Sequence, residues 1–368
     1  MKSLSLLIVG LSLAVAAGVM VRESRLTGPA SVPLASAVQV RVTGAGNTLA
    51  ALAAAPENAG LISYDPATRT ATSRATLVVE GELVLGRENE PASGETLQFD
   101  TQSCGDMRLE VRPGGLLRVY HSTLQTVSQV LSAGACSRGY GFFCDGELVM
   151  KDSRVRYISG SASECLRGQA RATIHRSVFS YCDGSALSCV EVDGGRIDID
   201  GCDFRGSGNW GLVVEGRGGE PLVIRNCLLD ARVGALFVSG RSAVVRLVDC
   251  VFDPAKLVFN QDSGEVQIAW TRRVQVVDAR TGAPVPGAMV RVETGSPRAA
   301  EPVETRADPQ GRASLVLLER IARPGRRDAG ATLEHRFRVK RPDGEWTPCP
   351  DPLVARGKDD QPVILPAS

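Results

Sequence analysis

Aromatic residues make up only 5% of this 368-residue chain, and 42 Lys+Arg against 41 Asp+Glu leave a net charge of +1. Charge balance removes the electrostatic footprint of a nucleic-acid binder, and the shortage of rings removes its stacking platforms, so no nucleic-acid partner is expected. Histidine occurs three times, at His121, His175 and His335, and no two cysteines stand in a Cys-x-x-Cys spacing, so the chain lacks a zinc pattern. No Gly-x-Ser-x-Gly elbow and no P-loop occur. Long apolar runs are missing except for Leu4 to Val21. What is present is 43% hydrophobic and 23% charged residues, enough apolar content for folded domains, with 39 glycines and 20 prolines to punctuate short strands.

The one long apolar run follows Met1 and Lys2 and ends in Ala14-Val15-Ala16, a small-residue cleavage pattern before Ala17. It reads as a signal peptide over 1–17, which implies an exported protein: periplasmic, secreted or envelope-associated. A membrane contact is expected only where this segment is uncleaved. Export permits disulfides among the ten cysteines. Cys136 with Cys144, Cys165 with Cys189, and Cys182 with a neighbour are the disulfide candidates, while Cys202, Cys227 and Cys250 stand in matching contexts and read as buried thiols stacked along a core.

Self-similarity is the strongest signal. A small residue recurs at Ser122, Ser153, Ser177, Cys202, Cys227 and Cys250, at intervals of 31, 24, 25, 25 and 23. Each has an apolar residue three before (Val119, Met150, Ile174, Ile199, Ile224, Leu247) and another two after (Leu124, Val155, Phe179, Phe204, Leu229, Phe252). Strands with one buried face give this parity, provided a kink turns both flanks inward. A second apolar segment recurs between glycines, as in Gly141 to Gly146, Gly211 to Gly216 and Gly234 to Gly240. Two or three short strands per period, with no helical periodicity, make each repeat one turn of a solenoid.

On these residues, 74–270 resemble the right-handed parallel β-helix repeats of the pectate-lyase-like superfold. Asn47 to Ala55, with Asn47 as N-cap, resembles the helix that closes the N-terminal end of such cores, within an 18–73 linker and cap, and Thr76 to Gly86 reads as the first strands. From Val274 to Val292 and from Thr305 to Leu318, alternating strands and Thr-Gly and Pro-Gly-Ala turns resemble a carboxypeptidase-regulatory-like (transthyretin-like) β-sandwich over 271–353, with 354–368 as a tail. The expected fold class is therefore all-β: a parallel β-helix solenoid with a short N-terminal capping helix, followed by a small antiparallel sandwich.

Stacked repeats place the residue two before each small position in one outward column: Tyr120, Lys151, His175, Asp200, Arg225, Val248. With strands about 4.8 Å apart, these form a single file. Arg225 and Lys151 have the charge to neutralise a sugar carboxylate, His175 or Lys151 to remove a proton, and Tyr120 to protonate a leaving oxygen, so the candidate catalytic set is Lys151, His175, Arg225 and Tyr120. Asp200 is expected to orient His175, to help hold Ca²⁺ or to bind substrate, and Trp210 and Tyr140, at corner glycines, to stack on sugar rings. Asp145, Asp193 and Glu215 form a second outward set that fits Ca²⁺, the one cofactor considered. Gly206-Ser-Gly-Asn-Trp-Gly211 matches a dinucleotide fingerprint but precedes a strand, so no nucleotide is expected there. The catalytic motifs familiar in the superfold are absent. Three functions follow: a module that binds extracellular or periplasmic polysaccharide along an outer face, a uronate-polysaccharide lyase or epimerase, or a structural envelope scaffold.

Overall fold

The computed structural model describes residues 38–101, 107–127, 139–159, 165–216, 220–240, 242–260, 264–295, 302–325, 332–349, 353–354 and 363–367. From Gln39 onward the described residues form one compact unit. The expected signal peptide, Cys136 and its proposed bridge to Cys144 therefore lie outside or partly outside the described residues.

The chain is all-β, with three long parallel sheets visited in rotation. Sheet 1 runs from Gln39–Val42 through Thr76–Val79, Gly141–Cys144 and Trp210–Glu215 to Leu257–Phe259, nine strands among the described residues. Sheet 2 takes the next strand of each circuit, from Asn47–Thr48 through Glu147–Lys151, Arg171–His175, Ile197–Asp200 and Leu222–Arg225 to Glu265–Asp278. Sheet 3 takes the third, ending at Val251–Phe252, and opens with the antiparallel hairpin Ile62–Asp65 and Thr70–Ser73. Parallel pairing therefore begins at Gln39, earlier than the expected first strands at Thr76. Inside the three sheets lies one core in which equivalent residues stack: Val119, Met150, Ile174, Ile199, Ile224 and Leu247 are each no more than 1% exposed. Burying each such side chain stabilises the fold by roughly 1.5–3 kcal/mol. Phe179 stacks on Phe204 at 5.1 Å, and Phe99 on Tyr140 at 4.8 Å.

The kink required by the small-residue pattern is a left-handed residue immediately before it. His121, Asp152, Arg176, Gly201, Asn226 and Asp249 have φ of 51°, 52°, 47°, 65°, 53° and 55°. This sharp turn between sheets 2 and 3 points the next, small side chain inward. That side chain then completes a ladder: the Ser122 N–H donates to Ser153 Oγ, and the Ser153 N–H to Ser177 Oγ, both at 3.2 Å, while the Cys202 N–H donates to Cys227 Sγ at 3.3 Å. The hydroxyls donate in turn to the carbonyls two residues back, Tyr120, Lys151 and His175. Cys202, Cys227 and Cys250 are the buried stacked thiols expected. The disulfide candidates are a correction: Cys144, Cys165, Cys182 and Cys189 are free and buried, and burial pushes the Cys144, Cys165 and Cys182 thiols up to about 12.

The capping helix spans Leu49–Ala54 and buries Leu49 and Leu52 against the core end. Its N-cap is Thr48, whose Oγ1 accepts from the Ala51 N–H at 3.2 Å, rather than Asn47, whose amide instead donates to the Thr43, Gly44 and Glu82 carbonyls. At the other end, Glu265–Asp278 crosses the expected boundary at 270 without a break. Its first half pairs parallel with Val244–Val248, and its length pairs antiparallel with Arg312–Ala322. Val363–Ala367, expected as tail, adds a parallel strand. These strands face a second sheet built on Met289–Thr294 and Glu334–Lys340 across a separate core of Val274, Val290, Leu315, Phe337 and Leu365.

Candidate functional site

On the outer face of sheet 2, strand register places Tyr120 beside Lys151, Lys151 beside His175, His175 beside Asp200, Asp200 beside Arg225, and Arg225 beside Val248. The single file read from the repeat is thus present as drawn. Its ends differ from expectation: Tyr120 is 5% exposed and Val248 4%. The Tyr120 hydroxyl accepts from Arg118 Nη1 at 3.4 Å. A phenol buried in this way is out of reach of a polymer's leaving oxygen, which corrects its assignment as proton donor.

The exposed members are held by partners. Lys151 Nζ is paired with Glu88, and this bond holds the Glu88 carboxyl below the usual carboxylate range. His175 Nε2 lies 2.8 Å from Asp198 Oδ2, and the other Asp198 oxygen is 3.4 Å from Arg225 Nη1. Asp198, not Asp200, is therefore the carboxylate on His175. Asp200 accepts instead from Asn226 Nδ2 at 2.8 Å. Along the adjoining turn, Arg176 grips Asp152 with two bonds of 2.7 and 2.6 Å, which keeps the Asp152 carboxyl low. Arg246, diagonal to Arg225 and bonded to Gln267 at 2.8 Å, is shifted down by burial and then by Arg225.

The sequence pattern does not single out Asp198 or Glu88. The period-two alternation of Asp198-Ile199-Asp200 does put both acids on one face, and Asp198 reaches His175 diagonally. Glu88 lies 63 residues from Lys151 in a loop, where no periodicity applies.

The remaining candidates stand apart from this face. Tyr140 is fully buried, stacked on Phe99, with its hydroxyl lacking any hydrogen-bond partner, so its reading as a rim residue is corrected. Trp210 belongs to sheet 1, half-buried over Gly234, where an added Cβ would meet the indole at 2.4 Å; its ring lies 5.0 Å from Phe237. Asp145, Asp193 and Glu215 do not converge. Arg167 forks onto Asp145 with two bonds of 2.7 Å, Asp193 caps the turn at Gly194–Arg196, and Glu215 lies in register with Val190 and Ser239. Among the described residues no three His, Cys, Asp or Glu side chains gather into a metal site, so Ca²⁺ has no donor set there.

Together, the outer face of sheet 2 carries a row of bonded imidazole, ammonium, guanidinium and carboxylate groups. Comparison with family models, curated proteins and solved structures gives no significant match to this chain.

Proposed function

We propose that this chain is an exported, right-handed parallel β-helix of the pectate-lyase-like kind, carrying a carboxypeptidase-regulatory-like sandwich, and that it binds extracellular or periplasmic polysaccharide along the outer face of sheet 2. One observation carries the reading: Lys151, His175, Asp200 and Arg225 stand in single file on four neighbouring strands, with Asp198 tying His175 to Arg225. Strands about 4.8 Å apart present these groups at a spacing close to the rise of one sugar ring in an extended glycan. Their ion pairs fix the side chains before a ligand arrives, so little rotamer entropy is lost on binding. Burial of Tyr120 weighs against the alternative in which it protonates a leaving oxygen in a lyase or epimerase.

The test is co-pelleting of the purified protein with insoluble pectate, alginate, hyaluronan or chondroitin matrices, with absorbance of unsaturated uronate followed in the same tubes. Retention without product is expected. Lys151→Ala and Arg225→Ala are expected to fold normally and to lower affinity about tenfold each, a loss of roughly 1.4 kcal/mol. Product formation lost in His175→Ala would replace binding by catalysis, and silence in both readouts would leave a structural envelope scaffold.

A further inference from the structure

At the corner where the chain enters sheet 2 lies a depression of about 410 Å³ lined by Glu147, Arg171, Thr173, Gly195 and Arg196, with Leu148 and Ala172 at its floor. It occupies the same strands as the charged file: Arg171, Thr173 and His175 alternate outward along Arg171–His175, and Glu147 leads to Lys151 along the neighbouring strand. Glu147 and Arg171 are directly opposite in register, yet the acid does not pair with the guanidinium. Among the described residues no side chain bonds Arg171 at all, which is unusual on a face where Lys151, His175 and Arg225 are each engaged by a carboxylate. The second cation, Arg196, is steadied from the side: its Nη1 donates to Gln169 Oε1 at 2.9 Å, and its Nε stands 3.9 Å from Asp193. The turn that carries it, Gly194–Arg196, is fixed by the Asp193 side chain accepting from the Gly195 N–H at 3.1 Å.

We infer that this pocket is an anion subsite, in which Arg171 and Arg196 hold a carboxylate or sulfate group on a glycan while Glu147 and Thr173 accept and donate hydrogen bonds to neighbouring hydroxyls. A guanidinium presents a planar fork of donors that matches either oxyanion, and two of them around one concavity supply the charge that a neutral sugar would leave unused. The inference rests on the polysaccharide reading and adds to it a chemistry. A bound chain would carry acidic substituents, one of them held at this corner beside the charged file.

Titration calorimetry of the intact protein with a uronate oligosaccharide, a sulfated oligosaccharide, a neutral oligoglucan and inorganic sulfate tests it, with Arg171→Gln and Arg196→Gln as variants. Both sites are exposed, so the variants are expected to keep the wild-type unfolding curve. The expected result is that one or both anionic oligosaccharides bind at least tenfold tighter than the neutral one, and that either variant removes this preference while leaving neutral binding unchanged. Which anionic ligand wins separates carboxylate from sulfate as the group held. If the anionic ligands bind and neither variant weakens them, the pocket is not the subsite, although glycan binding stands. If inorganic sulfate binds in an Arg171-dependent way and no oligosaccharide does, the anion site stands and the polysaccharide reading falls. Absence of all binding overturns both.

Discussion

Tyr140 shows how one residue's surroundings decide its meaning. Its ring is stacked on Phe99 inside the core, and its hydroxyl, with no partner, has burial pushing its pKa well above the ordinary value. A buried hydroxyl without a hydrogen bond is a net cost of about 1–3 kcal/mol, whereas an apolar group of the same shape is neutral or better. Tyr140→Phe is therefore expected to leave the urea midpoint unchanged or raise it. A loss of more than about 1 kcal/mol would show that the hydroxyl has a bound water or other partner. The sequence Gly139-Tyr140-Gly141 suggests an exposed corner, because glycines usually mark turns. Here Gly139 is needed for close approach instead: a Cβ would lie 2.6 Å from the Tyr157 carbonyl. Glycine marks tight backbone contact and open turn alike, and one sequence does not distinguish them. Lys151, His175 and Arg225 were legible because period-two alternation and the repeat interval together fix their face. Asp198 was not, because the repeat was anchored two residues before each small position and the acid belongs to the next column along the strand.

At the scale of the element, the turn between sheets 2 and 3 explains why one position is filled by serine in three circuits and by cysteine in the next three. Each is small enough to sit behind a left-handed residue, and each supplies an acceptor for the N–H of the preceding circuit. Replacing Ser177 by valine would leave the Ser153 N–H buried without its acceptor, and a loss of about 1–3 kcal/mol is expected from denaturant unfolding. Cys227→Ser keeps an acceptor of similar size for the Cys202 N–H, and a loss below about 1 kcal/mol is expected. Equal losses in the two variants would show that volume rather than the ladder matters. The repeat of small residues announced this turn, including the inward position of Cys202, Cys227 and Cys250. Its backbone was hidden, because the residue that takes positive φ is histidine, aspartate, arginine, glycine or asparagine in different circuits. Only some of these favour the left-handed region, so the strain is imposed by the stacked sheets rather than chosen locally.

For the molecule as a whole, the repeat pattern gives way after Trp270 and places a domain boundary there, and a single 14-residue strand, Glu265–Asp278, serves both cores. Hydrophobic alternation persists through it, so only the pairing partners change, and partners are not written in local pattern. This continuity gives His335 a wider role than its own sheet. It is fully buried, with Nδ1 3.1 Å from Thr294 Oγ1 and Nε2 2.8 Å from the Leu318 carbonyl, which joins Glu334–Lys340 to Arg312–Ala322, the strand paired with Glu265–Asp278. Burial lowers its pKa from 6.5, opposed in part by the Leu318 carbonyl. The folded protein thus resists a proton that the unfolded chain accepts, so stability is fully present above pH 6.5 and declines as pH falls below it, by at most about 1.4 kcal/mol per pH unit. The carboxylates held low, among them Glu82, Glu88, Asp152 and Asp278, lose their contribution only at more acidic pH, which leaves pH 7.5 to 5.5 as the window for the histidine. Urea midpoints across that window should fall for the wild type and stay flatter for His335→Asn, with far-UV circular dichroism and tryptophan fluorescence shifting together because the shared strand couples the two cores. A wild-type midpoint that does not move, or an equal slope in the variant, would remove His335 as the cause, and separate transitions in the two signals would show that the strand does not make the cores unfold as one.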